Sequence, residues 1–135
     1  NKIPDKFLEK RKTEAGYLTI SNPVLTATDI IQFEKRIGGI NRAATILFEL
    51  TDVLKPSDFN KEILAIAPVT TIQRLGYLLE FTCSNNELSD SLFKTLEKSK
   101  CRLFRIPLKA SQQTKGFSSA NRWKVIVNTE IDIDL

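Results

Sequence analysis

The chain has 135 residues, of which 41% are hydrophobic and 27% are charged, and its formal net charge is +4. This length predicts one domain that buries roughly two-thirds of its unfolded surface, and the composition is that of an ordinary soluble globule. The absence of histidine excludes Ser-His-Asp and Cys-His catalysis and removes the commonest transition-metal ligand. No apolar run approaches the roughly 20 residues of a membrane span, so no membrane partner is expected.

Cys83 and Cys101 are the two cysteines, too few for a disulfide framework or a metal set, and they favour a reducing cytoplasm. The chain also lacks methionine, so we expect that it does not begin at a translation start and is a piece of something longer. Residues 1–15 are polar and basic and are interpreted as a linker leading into a first strand. Residues 16–135 are interpreted as the folded domain.

The first elements predicted are a short strand and two helices. Residues 17–20 are β-formers that follow a glycine, which is typical of a strand. Residues 22–54 have the apolar spacing of two amphipathic helices joined by a glycine pair at 38 and 39. Asn22 stands before a proline and is expected to cap the first helix, and Asn41 is expected to cap the second.

Three further helices are predicted after this pair. Ser57 is expected to cap a short helix that runs to about residue 66. The next helix has apolar residues at three-four spacing over residues 72–79, and a fifth follows a polar cap at residues 84–86. Gly76 costs about 1 kcal/mol against alanine inside the fourth helix. We expect close approach of another backbone, that of the first helix pair, to compensate for this cost.

The pattern changes at residue 101. Residues 101–107 alternate and predict a strand, residues 109–121 are polar and aperiodic and predict a long loop, and residues 123–131 predict a second strand. We interpret these two strands as a β-hairpin that projects from the helices. The predicted fold class is therefore α+β, with about five helices packed with a small sheet made of one N-terminal strand and a C-terminal β-hairpin.

The basic segment, residues 98–124, contains eight lysine and arginine residues and no acidic residue. This one-sided charge favours an anionic partner, either nucleic acid or an acidic protein surface, although a solubilising face has the same composition. Arg74 lies outside the segment, and a helix-surface ion pair is its alternative role. The residues predicted to bind nucleic acid or a partner are Arg74, Arg102, Arg105, Lys109, Lys115, Arg122 and Lys124.

No catalytic residue, metal site or cofactor is predicted. The glycine pair lacks the spacing of a phosphate-binding loop, and no cluster of His and Cys ligands occurs. A nuclease would need an aspartate and a Glu-x-Lys triplet next to a strand. Residues 34–36 come nearest, but they lie on a predicted helix and end in arginine. A degenerate nuclease-like domain is a third hypothesis, which metal-dependent cleavage would support.

Four pieces of the chain carry a resemblance: residues 20–29 (ISNPVLTATD), 38–41 (GGIN), 73–79 (QRLGYLL) and 122–128 (RWKVIVN). In this order and spacing they resemble the C-terminal domain of AbiEi-type antitoxins, which belong to type IV toxin–antitoxin systems of bacterial abortive infection, a phage defence. The resemblance spans roughly residues 16–130.

This resemblance implies a two-part protein, in which an N-terminal winged helix-turn-helix binds the operon's own promoter and the C-terminal domain counters a nucleotidyltransferase-like toxin. Residues 1–15 would end the winged-helix domain, and residues 16–135 would be a non-catalytic antitoxin domain that needs no stable complex with its toxin. Its basic hairpin would meet RNA or nucleotide, or DNA beside the operator. The alternative is a sequence-independent nucleic-acid-binding module of a transcription regulator, whose affinity would fall steeply with salt.

Overall fold

The structure is a computed structural model that describes residues 8–13 and 16–133. Five α-helices form the body of the described chain. They are α1 (Pro23–Gln32), α2 (Ile40–Leu50), α3 (Ile63–Ile66), α4 (Val69–Tyr77) and α5 (Asn86–Ser99). Together with the short strands they confirm the predicted α+β class and its five helices.

The strands form two separate two-stranded sheets in the described chain. β1 (Leu8–Thr13) pairs antiparallel with β2 (Gly16–Ser21), and β2 confirms the predicted N-terminal strand. β3 (Ile106–Pro107) pairs in parallel with β4 (Val125–Ile126). Of the predicted linker, residues 1–7 and 14–15 lie outside the described residues, and the division of the chain at residue 16 stays a prediction.

The C-terminal β-hairpin is corrected by the structure, because β3 and β4 run parallel rather than antiparallel. Parallel strands cannot be joined by a tight turn and need a crossover connection of about a dozen or more residues. Residues 108–124 provide that connection without forming a helix. The long polar loop predicted here is thus present, but it carries the chain back to the start of its partner strand.

The capping of α1 agrees with the prediction, whereas that of α2 does not. The Asn22 side chain accepts a hydrogen bond from the backbone N–H of Val24 at 2.9 Å. After α1 a 3₁₀ turn over Glu34–Ile37 ends at Gly38, whose φ of 111° is left-handed. The residue before α2 is Gly39, so the predicted cap at Asn41 is wrong.

Of the caps predicted for the third and fifth helices, one is wrong and one agrees with the structure. Ser57 lies in a 3₁₀ turn (Pro56–Asp58), and α3 begins six residues later, after Glu62, so the predicted cap at Ser57 is wrong. α5 is capped by Asn85, whose side-chain oxygen accepts from the backbone N–H of Leu88 at 3.0 Å. This agrees with the polar cap predicted at residues 84–86.

The core lies where α1, α2, α4 and α5 meet. Each helix buries one apolar face, and a buried leucine or isoleucine contributes roughly 1.5–3 kcal/mol. Fully buried members of this core are Ala27, Ala43, Leu47, Ile72, Leu75, Leu79 and Leu92. The helix periodicity of the sequence therefore identified the packing faces correctly.

Gly76 meets a side chain from the far end of the sequence. An ideal Cβ built at this glycine would lie 2.1 Å from Cζ3 of Trp123, and Trp123 is fully buried. The expected close approach is therefore present, but its partner is the indole ring and not the backbone of the first helix pair. Any side chain at position 76 would occupy the space that the indole fills.

We predict that Gly76→Ala destabilises the domain by about 3 kcal/mol, because overpacking against a fixed ring outweighs the gain in helix propensity. Urea denaturation measures the free energy of unfolding. Thr70→Ala, at an exposed position of the same helix, is the control and should change it by less than about 0.5 kcal/mol. A Gly76→Ala protein that is as stable as the parent would contradict this packing.

Candidate basic interface

One buried side chain of α4, that of Gln73, holds the basic segment at two places. Gln73 is 1% exposed, and its Nε2 donates hydrogen bonds to the carbonyl oxygens of Phe104 and Trp123, each at 2.8 Å. A glutamine amide has two N–H donors, so both are used here. This side chain therefore fixes the backbone just before β3 and just before β4.

Arg74, the next residue of α4, holds the same segment from a second point. Its Nε donates to the carbonyl oxygen of Pro107 at 2.9 Å. Burial lowers the pKa of this half-buried guanidinium, and the nearby carboxylate of Glu34 opposes that shift. Arg74 also lines a cavity of about 320 Å³ with Lys35 and Arg36. Its hydrogen bond gives it a positioning role in the fold.

Arg122 is engaged inside the molecule. Its Nε lies 2.7 Å from Oε1 of Glu80, and its Nη2 lies 2.6 Å from Oδ1 of Asp90. The guanidinium carbon also stands 4.7 Å from the centre of the Phe93 ring. Burial alone would lower the pKa of Arg122, but hydrogen bonds and charge from the two carboxylates raise it overall. These contacts tie the segment to α5.

Glu80 serves the tryptophan as well. It lies on a π-helical turn (Leu78–Thr82) that continues α4, and its Oε1 accepts from Nε1 of Trp123 at 2.9 Å. Phe93 packs edge-on against the same indole at 5.2 Å between ring centres. A buried indole N–H needs such a partner, so the carboxylate satisfies both the ring and Arg122.

Two asparagines shape the connection between β3 and β4. The side chain of Asn128 accepts from the backbone N–H of Lys109 at 3.0 Å and donates to its carbonyl oxygen at 2.9 Å. The side-chain oxygen of Asn121 accepts from the N–H groups of Trp123 and Val125, each at 3.1 Å. Lys109 is half-buried beside this anchor. The connection is therefore fixed at both ends by side-chain amides.

The remaining predicted cations are exposed, and we call them the exposed basic face: Arg102, Arg105, Lys115 and Lys124. Arg105 donates from Nε to Oγ of Ser119 at 2.7 Å, which holds the start of β3 beside the connection. None of these four cations has a carboxylate partner within 4 Å among the described residues. Their charge is available to an anionic ligand.

Sequence reasoning missed the residues that build this scaffold. Gln73 carried a signal, because it stands three residues before Gly76 and so shares the buried side of α4 with it. No sequence signal pointed to Glu80, Asn121 or Asn128, since hydrogen bonds from side chains to irregular backbone follow no periodic pattern. The seven predicted site residues therefore divide into three held within the fold and four that are exposed.

The described residues contain no group of three or more Cys, Asp or Glu side chains arranged to hold a metal ion. Nor does a helix in that part of the chain have the length and apolar character that crossing a membrane requires. Cys83 and Cys101 are free thiols, and burial raises the pKa of the Cys83 thiol to about 12.

We predict that Arg122→Glu lowers the free energy of unfolding by about 2–4 kcal/mol, since it places a third carboxylate between Glu80 and Asp90. Arg102→Glu, the same charge change at an exposed position, should alter stability by less than about 0.5 kcal/mol. Urea denaturation of both proteins tests whether Arg122 supports the fold and Arg102 does not. Equal stability of the two variants would contradict a structural role for Arg122.

Lys124 lies at a backbone position that suits glycine, so a glycine there would remove the charge. Its φ of 56° is left-handed, a conformation that costs a non-glycine residue roughly 1–2 kcal/mol. We predict that Lys124→Gly changes the free energy of unfolding by less than about 0.5 kcal/mol, because relief of that cost offsets the entropy of glycine. Ser84→Gly, at a φ of 52°, is the matched comparison. A large loss of stability for Lys124→Gly alone would show that the lysine side chain supports the fold.

Comparison of the chain with curated proteins finds no match, and comparison with solved structures finds none either. Comparison with family models gives a match: the model described as the AbiEi antitoxin C-terminal domain matches residues 4–81, more than half of the chain. The matched residues include β1, β2 and the four helices up to α4, with Gln73, Gly76 and Glu80 at their C-terminal end. The chain therefore belongs to the AbiEi antitoxin C-terminal domain family.

Proposed function

We propose that this domain is a non-catalytic antitoxin of a type IV system and that it counters a nucleotidyltransferase-like toxin through its exposed basic face. Membership of the antitoxin family supports the biological role. The observation that carries the mechanism is the set of four exposed cations, held by α4 and without carboxylate partners among the described residues. Exposed cations without carboxylate partners attract phosphate groups.

The partner in this proposal is an anion rather than a tightly bound protein. RNA or nucleotide that the toxin would otherwise modify, and DNA beside the operator, both present the phosphates that arginine and lysine recognise. A stable complex with the toxin is not required. In this proposal the domain is fused, in the full-length protein, to a DNA-binding autoregulatory domain, and it acts in the cytoplasm.

The roles of the seven predicted cations differ in this proposal. Arg102, Arg105, Lys115 and Lys124 contact the anion. Arg74, Lys109 and Arg122 position the backbone that carries them, through the bonds to Pro107, Asn128 and Glu80.

The alternative is a sequence-independent nucleic-acid-binding module of a transcription regulator. It uses the same face, so charge alone does not separate it from the antitoxin. It predicts that the logarithm of affinity falls by about 0.9 per phosphate contacted for each tenfold rise in salt, with no protection against the toxin.

Growth rescue tests the proposal. The 135-residue chain is co-expressed with the nucleotidyltransferase toxin encoded beside it, and colonies are counted. We predict that the parent chain rescues growth and that reversing the exposed basic face abolishes rescue while the protein stays folded. The reversed variant combines Arg102→Glu, Arg105→Glu, Lys115→Glu and Lys124→Glu.

A control with the same charge change separates the face from net charge. It reverses four exposed lysines outside the basic segment, Lys35, Lys55, Lys61 and Lys94. This control should rescue as well as the parent, and the single variant Lys124→Gly should rescue less well. Full rescue by the reversed face, confirmed as folded by circular dichroism, would reject this site. A parent chain that is folded yet gives no rescue would favour the transcription-regulator alternative.

A further inference from the structure

Two phenylalanines are exposed within the basic segment. Phe104 is 61% exposed and Phe117 is 46% exposed, and both lie between the cations of the exposed basic face in the sequence. A single exposed phenylalanine is ordinary on a protein surface. Two of them interleaved with four cations, over a stretch with no acidic residue, are typical of surfaces that contact nucleic acid bases as well as phosphates.

The stretches that carry the two rings are joined because the chain folds back between them. The hydrogen bond between Arg105 Nε and Ser119 Oγ, 2.7 Å long, joins the two stretches that carry them. Phe104 is one residue from this bond and Phe117 is two residues from it, and consecutive Cα atoms are 3.8 Å apart. The bond also places the Arg105 guanidinium between the two stretches, so one cation of the exposed basic face stands beside both.

Both rings have a fixed backbone beneath them. The carbonyl oxygen of Phe104 is held by Gln73, and the guanidinium of Arg102 stands 5.2 Å from the centre of its ring. The backbone N–H of Phe117 donates to the carbonyl oxygen of Thr114 at 3.2 Å, which closes the turn that presents it. A pre-organised surface loses less conformational entropy when a ligand binds.

We propose that Phe104 and Phe117 form a stacking platform for unpaired bases, so that the exposed basic face binds single-stranded nucleic acid. The cations contact the phosphates, and the rings stack with two bases of the strand. The faces of bases inside a duplex are covered by their neighbours, so only a single strand can use both rings. This inference rests on the proposed function, because it assigns a ligand class to the same face.

Fluorescence anisotropy of labelled oligonucleotides about ten nucleotides long tests the inference. The probes are oligouridylate RNA, oligothymidylate DNA and a DNA duplex of the same length. We expect the parent chain to bind at least one single strand more tightly than the duplex. Phe104→Ala combined with Phe117→Ala should weaken single-strand binding by about 10-fold or more, since base–aromatic stacking contributes about fivefold or more per ring. Duplex binding should stay unchanged.

The chain supplies a matched control in two exposed phenylalanines outside the basic segment. Phe33 is 40% exposed beneath the guanidinium of Arg36, at 5.0 Å, and Phe81 is 50% exposed. Phe33→Ala combined with Phe81→Ala removes a similar apolar area and should leave single-strand affinity unchanged. Equal loss with both pairs of variants would overturn the platform. Comparing the RNA and DNA strands identifies which of the two sources the face prefers, and preferential binding of either supports the inference.

The outcomes separate this inference from the function on which it rests. If the phenylalanine variants bind as the parent does while charge reversal abolishes rescue, the stacking platform is rejected and the antitoxin proposal stands. If they lose single-strand binding yet rescue growth fully, the platform stands and protection is not carried by nucleic acid binding. If the parent binds no oligonucleotide but rescues through its exposed cations, the ligand is an acidic protein surface, and the platform is rejected.

Discussion

The seating of Trp123 on α4 at Gly76 is the contact on which the C-terminal half of the domain depends. The indole fills space that any side chain at position 76 would occupy, and its N–H is satisfied by Glu80 one turn further along. Because the tryptophan lies within the basic segment, its seat also determines where the flanking charges stand. An apolar packing constraint thus positions a polar surface. Gln73 adds the hydrogen bonds that fix the backbone before β3 and before β4.

The seven predicted cations look alike in the sequence, and the fold divides them into two groups. The Arg74 guanidinium donates to a carbonyl oxygen, and the Arg122 guanidinium contacts two carboxylates. Both groups are therefore engaged inside the molecule. Arg102 and Lys124 have no such partners among the described residues and remain open to solvent. A count of charges therefore overstates the surface available to an anion, because it cannot tell a structural cation from a free one.

Periodicity predicted the helices well because each has to bury one face, and Asn22 was predictable because a cap next to proline is a local feature. Gly76 showed in the sequence that something packs closely there, but local sequence does not name a partner 47 positions away. The parallel pairing of β3 and β4 could not be predicted from the sequence for a related reason. Strands of two residues have almost no pattern, and their direction is set by Gln73 and by Asn128, whose bonds depend on the tertiary fold.

The long sequence separation of these bonds has a consequence for how the chain folds. Gln73 reaches carbonyl groups 31 and 50 residues away, so loop-closure entropy opposes both contacts until α4 is already packed on its neighbours. We therefore expect the helical body, whose contacts are closer in sequence, to form first and the C-terminal segment to dock onto it afterwards. The basic surface is then the last part of the domain to be organised, and a chain that has lost its helical body has no ordered surface to offer.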